Sequence, residues 1–334
     1  MSVAALARGV ERRALAFVAA VTAVVLFVLF YYPVGTVFVD AVRVSGEWTL
    51  TPLVEVLTSP FYLGIFRFTA YQALLSTVAS VALGLPGAWV LSRFDFRGRE
   101  TLRSLTILPF VMPSIMVAIG FVATFGQNGT LNRALSALGL PEFTMLYSLP
   151  AIIVAHAFYN APLVTRVATA AWESVDASAV ETARTLGASP RRAFLDVVLP
   201  QLLPAVAVGA TLTFIFTFAS FPIVLALGGF QLATVEVFIY SRVQNLAFAE
   251  AASLAAVETA ISLALTYAYL RYEGSRASGS RGARPQRRRS VWPSAPSLPE
   301  LGTTLAVLAF AVVAVVVFVA PIASMLLASV TGPQ

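Results

Sequence analysis

The sequence predicts an all-α polytopic membrane protein: a six-helix unit followed by a seventh transmembrane helix. Three observations predict this class. The 334 residues are 58% hydrophobic and only 11% charged, whereas a soluble domain carries about 25% charged residues. Seven apolar runs are each near the roughly 20 residues that span a bilayer as a helix. The arginines fall in alternate loops, as the positive-inside rule requires of a multi-pass chain.

The first run, Ala14–Val39, follows Arg8, Arg12 and Arg13. It is longer than the roughly 7–15-residue core of a cleaved signal peptide, so it reads as an uncleaved anchor. The next runs are Phe68–Leu91, Leu105–Phe125, Leu146–Ala171, Leu202–Leu227 and Phe248–Leu270, and the seventh is Leu301–Ala328. Pro86, Pro109, Pro113, Pro162 and Pro222 lie within them. Spanning helices tolerate proline because neighbouring helices satisfy the freed backbone groups.

With the N-terminus (1–13) placed in the cytoplasm, the inside segments hold the arginines at 93–103, 184–192 and 271–289. The outside segments hold only Arg43, Arg67, Arg133 and Arg242, and Arg166 lies toward the inner end of the fourth helix. The six-helix unit then covers 14–271, with a cytoplasmic loop at 172–200. Residues 272–300, rich in Arg, Ser, Gly and Pro without apolar periodicity, read as a flexible cytoplasmic linker whose basic run can touch anionic lipid. "PIASMLLASV" from Pro321 echoes "PVGTVFVDAV" from Pro33, so 301–334 reads as the start of a second, truncated copy of the same unit.

Composition also excludes chemistry. Every basic residue but His156 is Arg, so neither a P-loop lysine nor a Schiff-base lysine exists. There is no cysteine. No metal-ligand spacing or nucleophile–base arrangement is visible, so no catalytic residue, metal or cofactor is expected. The arginines follow membrane topology rather than a nucleic-acid footprint, so no nucleic acid is expected. His156, the single histidine, reads first as a hydrogen-bonded packing residue near Asn160 and second as pathway lining. Glu258 lies well inside the sixth run. A carboxylate at membrane depth faces a bundle interior or a wet cavity, so Glu258 either lines a pathway or pairs with a polar neighbour.

The loop at 172–200 carries the most local information. Asp176 stands at an N-cap position, Gly187 at a helix stop, Ser189 at a second N-cap and Pro190 at a first helical position. Two short capped helices with a glycine corner are predicted, the second ending before Pro200. Ala177, Ala179 and Ala183 permit close docking, and Glu181 and Arg184 can pair at i,i+3.

Glu181, Ala183, Gly187, Val197, Leu199 and Pro200 match E-x-A-x(3)-G-x(9)-[IV]-x-L-P, with Thr182 where alanine is usual. This resembles the EAA loop of binding-protein-dependent ABC importer permeases. The segments Ala155–Arg166, Phe216–Gly229 and Thr234–Gln244 resemble the thiamine and ferric-iron branch of that family, in which two six-helix halves often share one chain. The resemblance implies a multi-pass subunit of the cytoplasmic membrane. Its coupling loop (Glu181, Ala183, Arg184, Gly187, Leu199 and Pro200) would contact a dimeric cytoplasmic ATPase, which hydrolyses the ATP. It implies an extracytoplasmic solute-binding protein, a second permease half or a second copy as partner, and thiamine as solute, with ferric iron or an incomplete tandem fragment as alternatives.

Overall fold

In the computed structural model, residues 3–44, 46–274, 288–291 and 298–331 are described. Among them, seven helices are long and apolar enough to cross a membrane. The described chain divides into two units: residues 1–63 with 238–261, and residues 64–237 with 262–334.

In the first unit, α1 (Val3–Leu26) passes through a π turn at Phe27–Tyr31 into α2 (Tyr32–Asp40). The wide turn immediately precedes Pro33, and the Tyr32 amide reaches back five residues to the Phe27 carbonyl. This register absorbs a proline that has no N–H to donate. A small hairpin follows, β1 (Arg43–Val44) against β2 (Glu47–Trp48), with the Arg43 guanidinium over the Trp48 ring. After α3 (Thr51–Thr58), α4 (Pro60–Arg93) begins. The Tyr62 hydroxyl donates to Glu250 of α14 (Phe248–Gly274), and Arg242 of α13 (Val235–Gln244) is 2.9 Å from the same carboxylate.

The second unit is centred on α8 (Leu149–Glu173), which buries Ile152, Ala155, Phe158, Ala161 and Val164. It is packed by α4, α5 (Arg99–Val111), α6 (Ser114–Phe125), α11 (Leu199–Phe218) and α12 (Pro222–Gly228). Close approach of α4 to α8 depends on Gly84. A Cβ there would lie 2.9 Å from the Ala161 carbonyl oxygen, and the Thr165 hydroxyl donates to the Gly84 carbonyl at 3.0 Å. Small residues and interhelical hydrogen bonds hold membrane helices together because lipid leaves no hydrophobic drive between them.

Two runs expected to be single helices are broken. The run 105–125 is cut at Met112–Pro113, because the residue before a proline is pushed to an extended conformation (Met112 ψ 145°). The spanning stretch there is instead Ser114–Ala137, which includes α7 (Thr130–Ala137). The run 202–227 is cut between Phe218 and Pro222.

The seventh helix, α15 (Leu298–Thr331), packs on α5 and α6. Ala314 and Phe318 enter a buried cluster with Val117, Ala118, Phe121 and Phe158. A Cβ on Gly120 would stand 2.9 Å from the Pro321 carbonyl oxygen, and Thr130 and Ser324 share a hydrogen bond of 2.7 Å.

Of the linker expected at 272–300, α14 takes the first residues to Gly274, and 275–287 and 292–297 lie outside the described residues. Residues 288–291 depart from a flexible linker. β4 (Arg289–Ser290) pairs in parallel with β3 (Phe94–Asp95), and Val291 is buried with Val90, Phe94 and Val307. Arg288 donates to Glu173 at 2.9 Å. An apolar side chain with a buried seat and a strand edge to bond orders this piece in a way that composition does not show.

Candidate functional site

Two sites stand out in the second unit. The first is the loop after α8. The Asp176 carboxylate accepts from the Ser178 amide at 3.0 Å and caps α9 (Ala177–Thr185). Gly187 has φ +92°. Its amide bonds the Arg184 carbonyl at 3.1 Å, and the Ala188 amide bonds the Ala183 carbonyl at 3.0 Å. These are the paired bonds of a Schellman stop, which needs a left-handed residue at this position. Ser189 caps α10 (Pro190–Ala193) through the Arg192 amide at 3.2 Å.

The second short helix does not end before Pro200. It passes through a π turn at Phe194–Val198 into α11, and the Leu199 amide bonds the Phe194 carbonyl. The device seen ahead of Pro33 recurs, and Pro200 sits inside one continuous span from Pro190 to Phe218. The Glu181–Arg184 pair does not form either. The Arg184 side chain donates to the Ala188 carbonyl at 2.8 Å, and the exposed ion pair of this loop is Arg192–Asp196 at 3.7 Å.

The loop has an inner and an outer face. Val180 packs on a cluster of Trp172, Val175, Val198 and Leu202, and the Trp172 ring lies 5.9 Å from the Phe194 ring. Glu181, Arg184 and Gly187 are exposed, Ala183 is half-buried, and Leu186 is 83% exposed at the tip. Sequence reasoning passed over Leu186, although a leucine directly before the stop glycine of a charged helix is a readable signal. Leu199 is half-buried and Pro200 exposed at the base of α11.

The second site is a cavity of about 330 Å³ between α5, α6, α8, α11 and α12. Both helix breaks open onto it, with Ser114 from one and Ala219, Ser220, Phe221 and Pro222 from the other. His156 lies in its wall and is buried, its Nδ1 3.3 Å from the Ser76 hydroxyl and its Nε2 2.9 Å from the Ser220 hydroxyl. Asn160 donates to the His156 carbonyl at 3.0 Å and toward the Thr217 hydroxyl at 3.4 Å, while its Oδ1 is buried without a hydrogen bond among the described residues. The aromatic walls are Phe110, Tyr159, Phe216 and Phe221, and Glu236 adds a carboxylate. The Phe110 ring lies 5.8 Å from Tyr159 and 6.3 Å from Phe216. Irregular backbone at membrane depth is tolerated where it lines a cavity, and discontinuous helices mark transporter binding sites. His156 and Asn160 are thus brought together, hydrogen-bonded and in the wall of one cavity. Glu258 is not among the lining residues; it belongs to the first unit and is 5% exposed. Among the described residues, no cluster of His, Asp and Glu could hold a metal ion.

Known proteins share this organisation. Residues 80–272 match the family model for the binding-protein-dependent transport system inner membrane component. The chain is 30% identical over 250 residues to the protein named 2-aminoethylphosphonate transport system permease PhnU of Salmonella paratyphi A, covering 73% of this chain and 86% of that one. It is 30% identical over 216 residues to the sulfate transport system permease CysT of Escherichia coli, covering 64% of this chain and 77% of that one. Over 204 residues it is 33% identical to the thiamine transport system permease ThiP of Brucella abortus, covering 60% of this chain and 37% of that longer protein. The crystal structure of a bacterial alginate ABC transporter superposes with a TM-score of 0.65 at 17% identity, covering 82% of this chain and 99% of that chain, which shows the fold. With its discontinuous membrane helices around a polar cavity and its capped loop between α8 and α11, this chain belongs to the family of multi-pass inner membrane components of binding-protein-dependent transport systems.

Proposed function

We propose that this chain is the permease subunit of an ATP-driven importer of thiamine, an aromatic organic cation. One observation carries the reading. The three segments that resemble the thiamine and ferric-iron permease branch supply His156, Tyr159, Asn160, Phe216, Ala219–Pro222 and Glu236, all of which line the same cavity. Aromatic faces attract a cation through the ring quadrupole. A carboxylate and a buried acceptor add to that preference, and no arginine lines the space. Sulfate, named for one of the relatives, is a dianion without a cationic group and fits such a lining poorly.

The remaining parts follow from the same reading. The arginine distribution supports a cytoplasmic N-terminus and a cytoplasmic α9 loop. There the exposed face of α9, with Leu186 at its tip, docks on a separate ATPase pair, and Glu181, Ala183 and Arg184 form its rim. A solute-binding protein delivers thiamine from the other side. A second permease half, or a second copy, covers the apolar face of α1–α2.

Uptake of labelled thiamine in a strain lacking its own importer tests this, with the chain restored in its native operon context. Restored uptake that is abolished by Asn160→Leu is the expected result. Uptake of labelled ferric iron or sulfate without any uptake of thiamine would overturn it.

A further inference from the structure

A second cavity of about 240 Å³ lies along the same pair of helices, toward the arginine-rich end of the second unit. Arg103 and Thr106 of α5 and Thr165, Arg166 and Thr169 of α8 line it, and no carboxylate does. Ile107, also in its wall, is one helical turn from Phe110, which lines the aromatic cavity with Tyr159. Neither the Arg103 nor the Arg166 guanidinium has a hydrogen bond or ion pair among the described residues. Arg99, one turn earlier on α5, is fully engaged with the Leu91 carbonyl, Glu100 and Glu173.

The threonines refine the chemistry. The Thr106 hydroxyl donates to the Arg103 carbonyl at 2.9 Å, Thr165 to the Gly84 carbonyl at 3.0 Å and Thr169 to the Thr165 carbonyl at 2.6 Å. Their hydrogens are already committed, so their oxygens have only lone pairs to present. A ligand that fits must accept from guanidinium groups and donate O–H groups to threonine oxygens. Guanidinium forks match the geometry of phosphate oxygens. Inorganic phosphate keeps a P–OH at neutral pH as monoanion and as dianion, whereas a monoester, with a second pKa of about 6, keeps one only in its singly charged fraction. Sulfate has no proton to give.

We propose that Arg103 and Arg166 form a binding site for a protonated phosphate group, distinct from the solute cavity, with which it shares no lining residue. The group arrives either as free phosphate or phosphomonoester, or as the headgroup of a monoester lipid such as phosphatidic acid.

The test uses the full chain in phosphatidylcholine nanodiscs and measures equilibrium binding of radiolabelled inorganic phosphate, with sulfate as the comparison. Saturable phosphate binding is expected, at least tenfold tighter than sulfate. The double variant Arg103→Gln/Arg166→Gln should lose at least tenfold in affinity with an unchanged melting midpoint, and Arg103→Lys/Arg166→Lys should retain part of it. Asn160→Leu, in the other cavity, should leave phosphate binding unchanged. Repeating the measurement in nanodiscs containing phosphatidic acid separates the sources: competition there identifies the lipid headgroup as occupant, and undiminished binding identifies the free phosphate. Absence of phosphate binding in phosphatidylcholine nanodiscs, equal binding of sulfate, or binding indifferent to the double glutamine variant would overturn the proposal.

Discussion

The rod formed by α1 and α2 and the seventh helix α15 are near twins in sequence character, yet the structure treats them oppositely. The apolar stretches are Arg13–Asp40 and Leu301–Leu327, of 28 and 27 residues, and each carries a proline with a similar apolar run after it. No residue from Arg13 to Asp40 is buried, whereas α15 buries Val307, Ala314, Phe318 and Ser324 against its own unit. Apolar composition licenses contact with lipid or with protein equally. Docking requires a complementary surface, here the notch at Gly120 and the hydroxyl pair Thr130–Ser324. Among the described residues nothing buries the α1–α2 stretch Arg13–Asp40, which is why a second permease half or copy is proposed to cover it.

The largest effect should come from filling the notch. Gly120→Leu places a side chain into the Pro321 backbone, and overpacking of this kind costs about 1–3 kcal/mol. The melting midpoint of the purified chain should fall clearly. Replacing Leu29 and Phe30 of the α1–α2 rod with alanine should leave that midpoint unchanged, yet co-purification with the second permease half should drop. Equal loss of stability in both experiments would erase the contrast between the two helices.

Smaller effects are expected at the coupling loop. Gly187→Val forces a β-branched residue to φ +92°, at a cost of about 1–2 kcal/mol, without steric contact from any neighbour. Thiamine uptake and ATPase co-purification should fall together. Asp176→Ala removes the α9 cap, worth about 1 kcal/mol, and should weaken ATPase binding less than Gly187→Val does. Leu186→Ser should leave the melting midpoint untouched because the side chain is already in solvent, while ATPase binding weakens. The smallest effect belongs to Arg288→Gln. Its bond to Glu173 is half-exposed, and such pairs contribute about 0–1 kcal/mol.

The capped loop was legible because caps, stops and the first-turn proline depend on residues within a few positions of one another. Asp176, Gly187 and Ser189 each did what their local chemistry required. The continuation of helix through Pro200 was not legible, since a π turn is a choice of hydrogen-bond register rather than of residue type. The same holds for the cuts at Met112–Pro113 and before Pro222. Pro86 and Pro162, in equally apolar runs, remain inside unbroken helices.

What the sequence determined by itself was the number of spanning segments, the sign of charge at each end and the caps and glycine stop of the loop after α8. Hydropathy, loop charge and capping are all sums over neighbouring residues. The tertiary structure alone decided which apolar helix is covered, which proline breaks its helix, and that His156, Asn160, Ser220 and Glu236 share a cavity. Those outcomes depend on how surfaces distant in the chain fit together. In a bilayer, where burial itself offers no driving force between helices, close fit and hydrogen bonding decide the match.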